Sequence, residues 1–125
     1  MNKRAPCLRE SFLSALCGIR DAWINERNMK IHAAATIIAV LSGFWLRLER
    51  MEWLFLISAV FLVLTMEMLN TSLERVVDLF TLDYHPMARL AKDAAAGSAL
   101  LASLYAVVVA VMLIWPRLSS GVNIF

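Results

Sequence analysis

The feature that most constrains the fold is an apolar run of 22 residues, 94–115, that contains no charged side chain. As an α-helix this run would be about 33 Å long, which matches the roughly 30 Å hydrocarbon core of a bilayer. Two shorter apolar runs, 33–46 and 53–66, precede it. Each would reach only about 21 Å, so flanking residues must extend it. The sequence therefore predicts three membrane-spanning helices, over residues 30–48, 51–80 and 87–115.

The composition agrees with a membrane protein and excludes several other classes. Hydrophobic residues make up 61% of the chain and charged residues 18%, against about half and a quarter in soluble domains. The 12 basic and 10 acidic residues leave no charge excess of the kind that nucleic-acid-binding proteins carry. Two cysteines cannot build a disulfide framework, and four glycines cannot supply a P-loop or a dinucleotide fingerprint.

The distribution of Lys and Arg predicts the orientation in the membrane. Nine of these residues precede the first apolar run or lie between the second and third runs, and three lie on the opposite side. The positive-inside rule therefore predicts a cytoplasmic N-terminus. Residues 8–27 are predicted to form an amphipathic surface helix, because five apolar side chains fall within an arc of about 80°: Leu8, Phe12, Leu16, Ile19 and Trp23. Alternatively, this helix packs only on neighbouring protein helices.

A polar stripe interrupts the second predicted span. Glu67, Asn70, Glu74 and Asp78 stand at i, i+3, i+7 and i+11, so on a helix they share one face over about 16 Å. Ionisable groups in a span are costly and usually face a bundle interior, where they are paired or bind ions. Carboxylate and amide oxygens suit Mg²⁺, which proteins commonly hold together with substrate phosphates. The alternative is a polar seam that joins helices through ion pairs.

Other polar residues are weaker candidates. Glu26 stands at the end of the predicted surface helix, where pairing with a nearby cation is the simpler reading. Lys92 and Asp93 precede the third span and either contact a nucleotide or anchor the helix at the interface. His32 is predicted to be an interface residue, and His85 lies in the cytoplasmic turn before Pro86.

Residues 67–78, followed by 91–93 and preceded by 22–26, resemble the small bacterial integral-membrane lipid kinases, which phosphorylate diacylglycerol or undecaprenol. The similarity extends over roughly residues 10–116. It implies an all-α integral-membrane protein of the bacterial inner membrane, with residues 1–125 forming one domain. It also implies a homotrimeric helical bundle, with one surface helix and three spans per subunit, whose shared active sites use ATP with Mg²⁺.

The resemblance assigns roles to individual residues. It implies that Glu67 is the general base and that Asn70 is a positioning residue in the catalytic set, with Glu26 and Glu74 as metal ligands. The implied ATP-binding residues are Glu26, Glu74, Asp83, Tyr84, His85, Lys92 and Asp93. The implied lipid-binding residues are Arg20, Trp23, Asn28, Trp45 and Glu67.

The sequence resembles two branches of this family, which phosphorylate different lipids. Residues 26–32 and 85–97 are closer to the undecaprenol kinases, whereas 22–26 and 83–85 are similar to the diacylglycerol kinases. The chain departs from both at Cys7 and Glu10, in a region where basic residues are common. We expect undecaprenol, with diacylglycerol as the alternative. A non-enzymatic membrane subunit or a cation transporter that uses the same polar stripe is a third hypothesis.

Overall fold

The computed structural model describes residues 7–81 and 83–119, and within these ranges the chain folds into four α-helices. Their bounds are α1 Leu8–Asn25, α2 Arg27–Trp45, α3 Arg50–Phe80 and α4 Pro86–Ser119. The prediction of an all-helical protein is confirmed. The predicted boundaries of the last three helices differ from these by at most four residues, and the predicted end at residue 80 coincides with the end of α3. The predicted surface helix, 8–27, is two residues longer than α1, because the helix is interrupted at Glu26.

The break between α1 and α2 occurs at a single extended residue. Glu26 has φ −96° and ψ 124°, so it interrupts two helices that would otherwise be continuous. The start of α3 is fixed by a capping interaction, in which the Glu49 backbone N–H donates to Glu52 Oε2 at 2.8 Å. The start of α4 is Pro86, whose restricted φ and missing N–H suit a first helical position. Local sequence therefore explains where α3 and α4 begin, whereas no glycine or proline marks the break at Glu26.

The most extensive contact between helices is that of α3 with α4. The buried residues of α4 are small, with Ala99, Ala102 and Val109 all at most 9% exposed. Such a row allows two helix backbones to approach closely, which is the usual packing mode of helices in membranes. In α3, Leu56 and Ala59 are buried as well, on the side that continues into the polar stripe.

Most other apolar side chains are exposed. The accessible surface is 10038 Å², against roughly 6,700 Å² expected for a compact monomer of 14.0 kDa. Phe61, Leu101 and Met112 are each 67–70% exposed. Helices α3 and α4 are long and apolar enough to cross a bilayer. Helix α2 is shorter and begins with Arg27, Lys30 and His32 among its first six residues, so its role as a third span stays a prediction.

The connection between α2 and α3 is closed by an aromatic contact and by Arg117 of α4. The rings of Phe44 and Trp53 lie 4.8 Å apart. The Arg117 guanidinium donates to Glu52 Oε2 at 2.6 Å and to the Leu46 carbonyl at 3.2 Å. Helix α4 continues past the predicted end at residue 115, so Arg117 lies within it. Its hydrogen bonds connect α4 to α3 and to the end of α2.

Gly43 is expected to tolerate no side chain. A Cβ built there would lie 2.9 Å from Trp53 Cη2 and 3.1 Å from Leu48 Cδ1. We expect Gly43→Ala to lower the free energy of unfolding by about 1–3 kcal/mol, because a ring and a branched side chain would have to move. Thermal unfolding in detergent micelles measures this.

Gly97 provides the matched control, since a Cβ there would meet nothing within 4 Å. Gly97→Ala should cause no loss of stability. Equal stability of the two variants would contradict the close packing at Gly43.

Candidate active site

The polar stripe of α3 is largely buried. Glu67, Asn70 and Thr71 are 4%, 7% and 6% exposed, and they continue the buried row that begins with Leu56 and Ala59. Burying a carboxylate in such a row is unfavourable unless it is paired or binds a ligand. At this end of the helix, the residues of the predicted stripe share a buried face. Glu74 is half-buried and Asp78 is exposed, so the polar face opens towards the C-terminus of α3.

Asn70 is the best-defined member of the stripe. Its Nδ2 donates to Glu74 Oε1 at 3.1 Å, which orients both side chains. Its Oδ1 is buried and has no hydrogen-bond partner among the described residues. Native proteins rarely leave a buried acceptor unpaired, so this atom points to a missing donor or cation. The amide oxygen is thus available to a ligand.

His32 lies opposite Glu67. Its Nε2 is 4.0 Å from Glu67 Oε2, which is too long for a hydrogen bond but close enough for an ionic interaction if the imidazole is protonated. The sequence predicts His32 only as a membrane-interface residue. Nothing near it in the sequence indicates Glu67 as a partner, because their proximity depends on how α2 and α3 pack.

The far end of the stripe is engaged in an ion pair. Lys92 Nζ of α4 lies 2.5 Å from Asp78 Oδ1, so this part of the stripe joins two helices, as the polar-seam alternative proposed. Asp93 lies 3.6 Å from Arg89 Nε one turn away on α4, and both side chains are about two-thirds exposed. The two predicted nucleotide contacts, Lys92 and Asp93, are therefore adjacent but paired within the chain.

Glu26 is held by Arg75, a residue that the sequence did not indicate as part of the site. Arg75 of α3 donates from Nη2 to Glu26 Oε1 at 2.9 Å and from Nη1 to Asp21 of α1. Hydrogen bonding to Arg75 holds the pKa of Asp21 below its usual range. The sequence shows Arg75 directly after Glu74, but nothing local indicates which carboxylates it would bind. Arg75 thus connects Glu26 to α3, and within the described residues no bond joins Glu26 to Glu74.

The remaining predicted residues are exposed and only partly brought together. Asp83, Tyr84 and His85 lie in the α3–α4 connection, where the Asp83 N–H donates to Thr81 Oγ1 at 3.1 Å. The side chains of Arg20 and Trp23 lie on α1, and Asn28 begins α2. Trp45 ends α2, about 25 Å along that helix from Asn28. The structure therefore does not bring Trp45 to the other proposed lipid contacts.

The oxygen ligands of this region suit a divalent cation that arrives with a substrate. In the described ranges, no group of three or more His, Cys, Asp or Glu side chains is arranged to hold a metal ion. The Glu74 carboxylate and the unpaired Asn70 Oδ1 are hard oxygen ligands, as Mg²⁺ prefers. Because Mg²⁺ usually takes one or two carboxylates together with phosphate oxygens, these residues fit it as part of a nucleotide complex.

An apolar groove of about 400 Å³ opens beside His32, between α2, α3 and α4. Its walls are mainly small or branched side chains, such as Ala35, Val60 and Ala106, and Thr36 and Ser103 add two hydroxyl groups. The groove therefore offers room for a hydrocarbon chain whose polar end would lie near the His32–Glu67 pair. This arrangement joins an apolar binding surface to a polar, acid-bearing site.

Comparison with known proteins gives a consistent result. The family model described as prokaryotic diacylglycerol kinase matches residues 13–114. An undecaprenol kinase of Bacillus subtilis is 35% identical over 109 residues, covering 87% of this chain and 89% of the relative. A diacylglycerol kinase of Synechocystis is 40% identical over 117 residues, covering 93% and 67%. A diacylglycerol kinase of Escherichia coli is 37% identical over 98 residues, covering 78% and 80%.

The unpaired Asn70 oxygen makes a stability prediction. Asn70→Leu removes a buried acceptor without a partner, a gain of about 1–3 kcal/mol, and loses a hydrogen bond to a carboxylate, a loss of about 1.5–3 kcal/mol. We therefore expect the free energy of unfolding in detergent micelles to change by no more than about 2 kcal/mol. A loss of 3 kcal/mol or more would contradict the conclusion that this oxygen is kept for a ligand.

Proposed function

The chain belongs to the prokaryotic diacylglycerol kinase family and is therefore a lipid kinase, and from this premise we propose that it phosphorylates undecaprenol with Mg²⁺ and ATP. The hypothesis of a non-enzymatic subunit or cation transporter is not retained, because the three relatives described above are kinases.

The observation that supports the chemistry best is the buried Glu67 beside the apolar groove. Glu67 is 4% exposed, its Oε2 lies 4.0 Å from His32 Nε2, and His32 lines the groove. A lipid chain in the groove would bring its hydroxyl group to Glu67, which accepts the hydroxyl proton as general base. Removing a general base typically slows a reaction by 10²–10⁴-fold.

The nucleotide side of the site uses positioning and charge neutralisation, which supply most of the catalysis in phosphoryl transfer. Glu74 and Glu26 would hold Mg²⁺, which neutralises the phosphate oxygens when bound. Asn70 orients Glu74 through its hydrogen bond and presents its unpaired oxygen to the same region. Lys92 leaves its partner Asp78 and binds a phosphate instead. Asp93 and the turn 83–85 contact the remainder of the nucleotide.

The choice of undecaprenol rests on two observations. The Bacillus subtilis undecaprenol kinase aligns with 87% of this chain and 89% of its own length, more balanced coverage than the Synechocystis relative shows. The segments 26–32 and 85–97 are also closer to that branch. Diacylglycerol is the second candidate, because the Synechocystis diacylglycerol kinase has the higher identity, 40%.

We propose that the active molecule is a homotrimer in the bacterial inner membrane, with a cytoplasmic N-terminus and α2 as the third span. The large exposed apolar surface supports burial in lipid and against other subunits. The site of a single chain is open, since Asp83, Tyr84 and His85 are exposed. A neighbouring subunit would complete it.

A purified-protein assay with Mg²⁺ and ATP, offering undecaprenol and diacylglycerol side by side, tests the proposal. We expect undecaprenyl phosphate as the main product. Glu67→Gln should lower its rate of formation by at least about 10²-fold, because the amide cannot accept the proton.

Glu49→Gln is the matched control, because Glu49 precedes α3 at the opposite end from Asp78. This variant should keep the wild-type rate. No phosphorylated lipid of either kind would contradict the kinase mechanism, and turnover of diacylglycerol alone would reverse the choice of lipid.

The two native cysteines test the orientation. Cys7 and Cys17 are free and exposed, and they lie at and within α1. A membrane-impermeant maleimide should label them in inside-out vesicles and leave them unlabelled in right-side-out vesicles. Labelling only in right-side-out vesicles would place the N-terminus outside.

A further inference from the structure

Arg75 joins the surface helix to the polar stripe. Its guanidinium contacts Asp21 in α1 and Glu26 at the α1–α2 junction at the same time, with N–O distances of 2.5 and 2.9 Å. The next residue towards the N-terminus is Glu74, whose carboxylate accepts from Asn70. The cluster of Asp21, Glu26 and Arg75, here called the arginine cluster, therefore links α1, the α1–α2 junction and α3.

No other described side chain does this. Within residues 7–81 and 83–119, Arg75 makes every hydrogen bond and ion pair that connects α1 or Glu26 to α3. Apart from these bonds, α1 is held by apolar packing, in which Ala22 is 3% exposed. The position of the Glu26 carboxylate relative to α3 thus depends on one side chain.

The exposure of the pairs indicates what they do. The side chains of Arg75, Asp21 and Glu26 are 50%, 44% and 31% exposed. Ion pairs with this much solvent contact contribute little to the free energy of unfolding, because water screens them. A planar guanidinium that binds two carboxylates does, however, fix their relative geometry. Arg75 therefore fixes the relative positions of Asp21 and Glu26 and adds little to the free energy of unfolding.

One carboxylate oxygen of Glu26 remains outside the arginine cluster. Only Glu26 Oε1 contacts Arg75, and no bond to Oε2 is present in the described ranges. An arginine that orients a ligating carboxylate through one oxygen leaves the other oxygen for the metal.

We propose that Arg75 is a positioning residue that holds Glu26 near Glu74, so that the two carboxylates can bind one divalent cation together with a nucleotide. This inference rests on the proposed function for the identity of the ligands. It assigns Arg75 no contact with the lipid and no part in proton transfer. Its role is to set the affinity of the site for the cation.

The test measures cation binding without turnover. Purified full-length protein in micelles is titrated with Mn²⁺, a paramagnetic substitute for Mg²⁺, in the presence of a non-hydrolysable ATP analogue, and bound Mn²⁺ is followed by electron paramagnetic resonance. We expect Arg75→Met to weaken Mn²⁺ binding by about tenfold, the lower range for losing a residue that supports a metal ligand. Arg75→Lys should recover part of the loss, because one ammonium group can hold one carboxylate.

A spin label on Cys17, in a Cys7→Ser background, reports whether α1 stays in place. Its mobility should rise in Arg75→Met and stay unchanged in Arg50→Gln, a matched loss of a cation at the opposite end of α3. Arg50→Gln should also keep the wild-type Mn²⁺ affinity. Wild-type Mn²⁺ affinity in Arg75→Met would overturn the proposal.

Asp21→Asn covers the case in which Arg75→Met does not fold. It leaves the bond between Arg75 and Glu26 but removes the second anchor, so we expect Mn²⁺ binding about threefold weaker and a more mobile label. Unchanged affinity and mobility would overturn the proposal. A wild-type protein that binds Mn²⁺ with the analogue in an Arg75-dependent way, yet phosphorylates neither lipid, would support this inference while contradicting the proposed function.

Discussion

The burial of a carboxylate in an apolar helical row is the constraint on which the rest of the structure depends. Glu67 is 4% exposed in a row that begins with Leu56, Ala59 and Val63. Such a group is unfavourable in a membrane unless its surroundings compensate. His32 across from it, the oriented Asn70 and the more open Glu74 form those surroundings. Under the proposed function, the same placement would bring Glu67 to the point where a lipid and a water-soluble reactant meet.

Two arginines hold the helices around this row at opposite ends of α3. Arg117 binds Glu52 and the Leu46 carbonyl at one end, and Arg75 binds Asp21 and Glu26 at the other. Between them the helices meet through small apolar residues. Long-range polar contacts are thus concentrated where water can reach the chain, and the centre relies on close packing.

The sequence predicted features that follow from local pattern. The spacing of residues 67, 70, 74 and 78 predicted their shared helical face, and Pro86 predicted the start of α4. It could not predict the partners of Arg75, Lys92 or His32, because each partner lies at least 14 residues away in the chain and depends on how the helices pack. The break at Glu26 was missed for a different reason, since no glycine or proline accompanies it.

The groove beside His32 has a kinetic consequence. A lipid that reaches Glu67 through this groove comes from the surrounding bilayer, so its encounter with the protein takes place in two dimensions. The relevant measure of substrate is then its mole fraction among the membrane lipids, and adding inert lipid dilutes it at constant bulk concentration. The nucleotide proposed as the phosphoryl donor would, in contrast, arrive from solution and follow ordinary volume concentration. One site would therefore obey two different concentration scales.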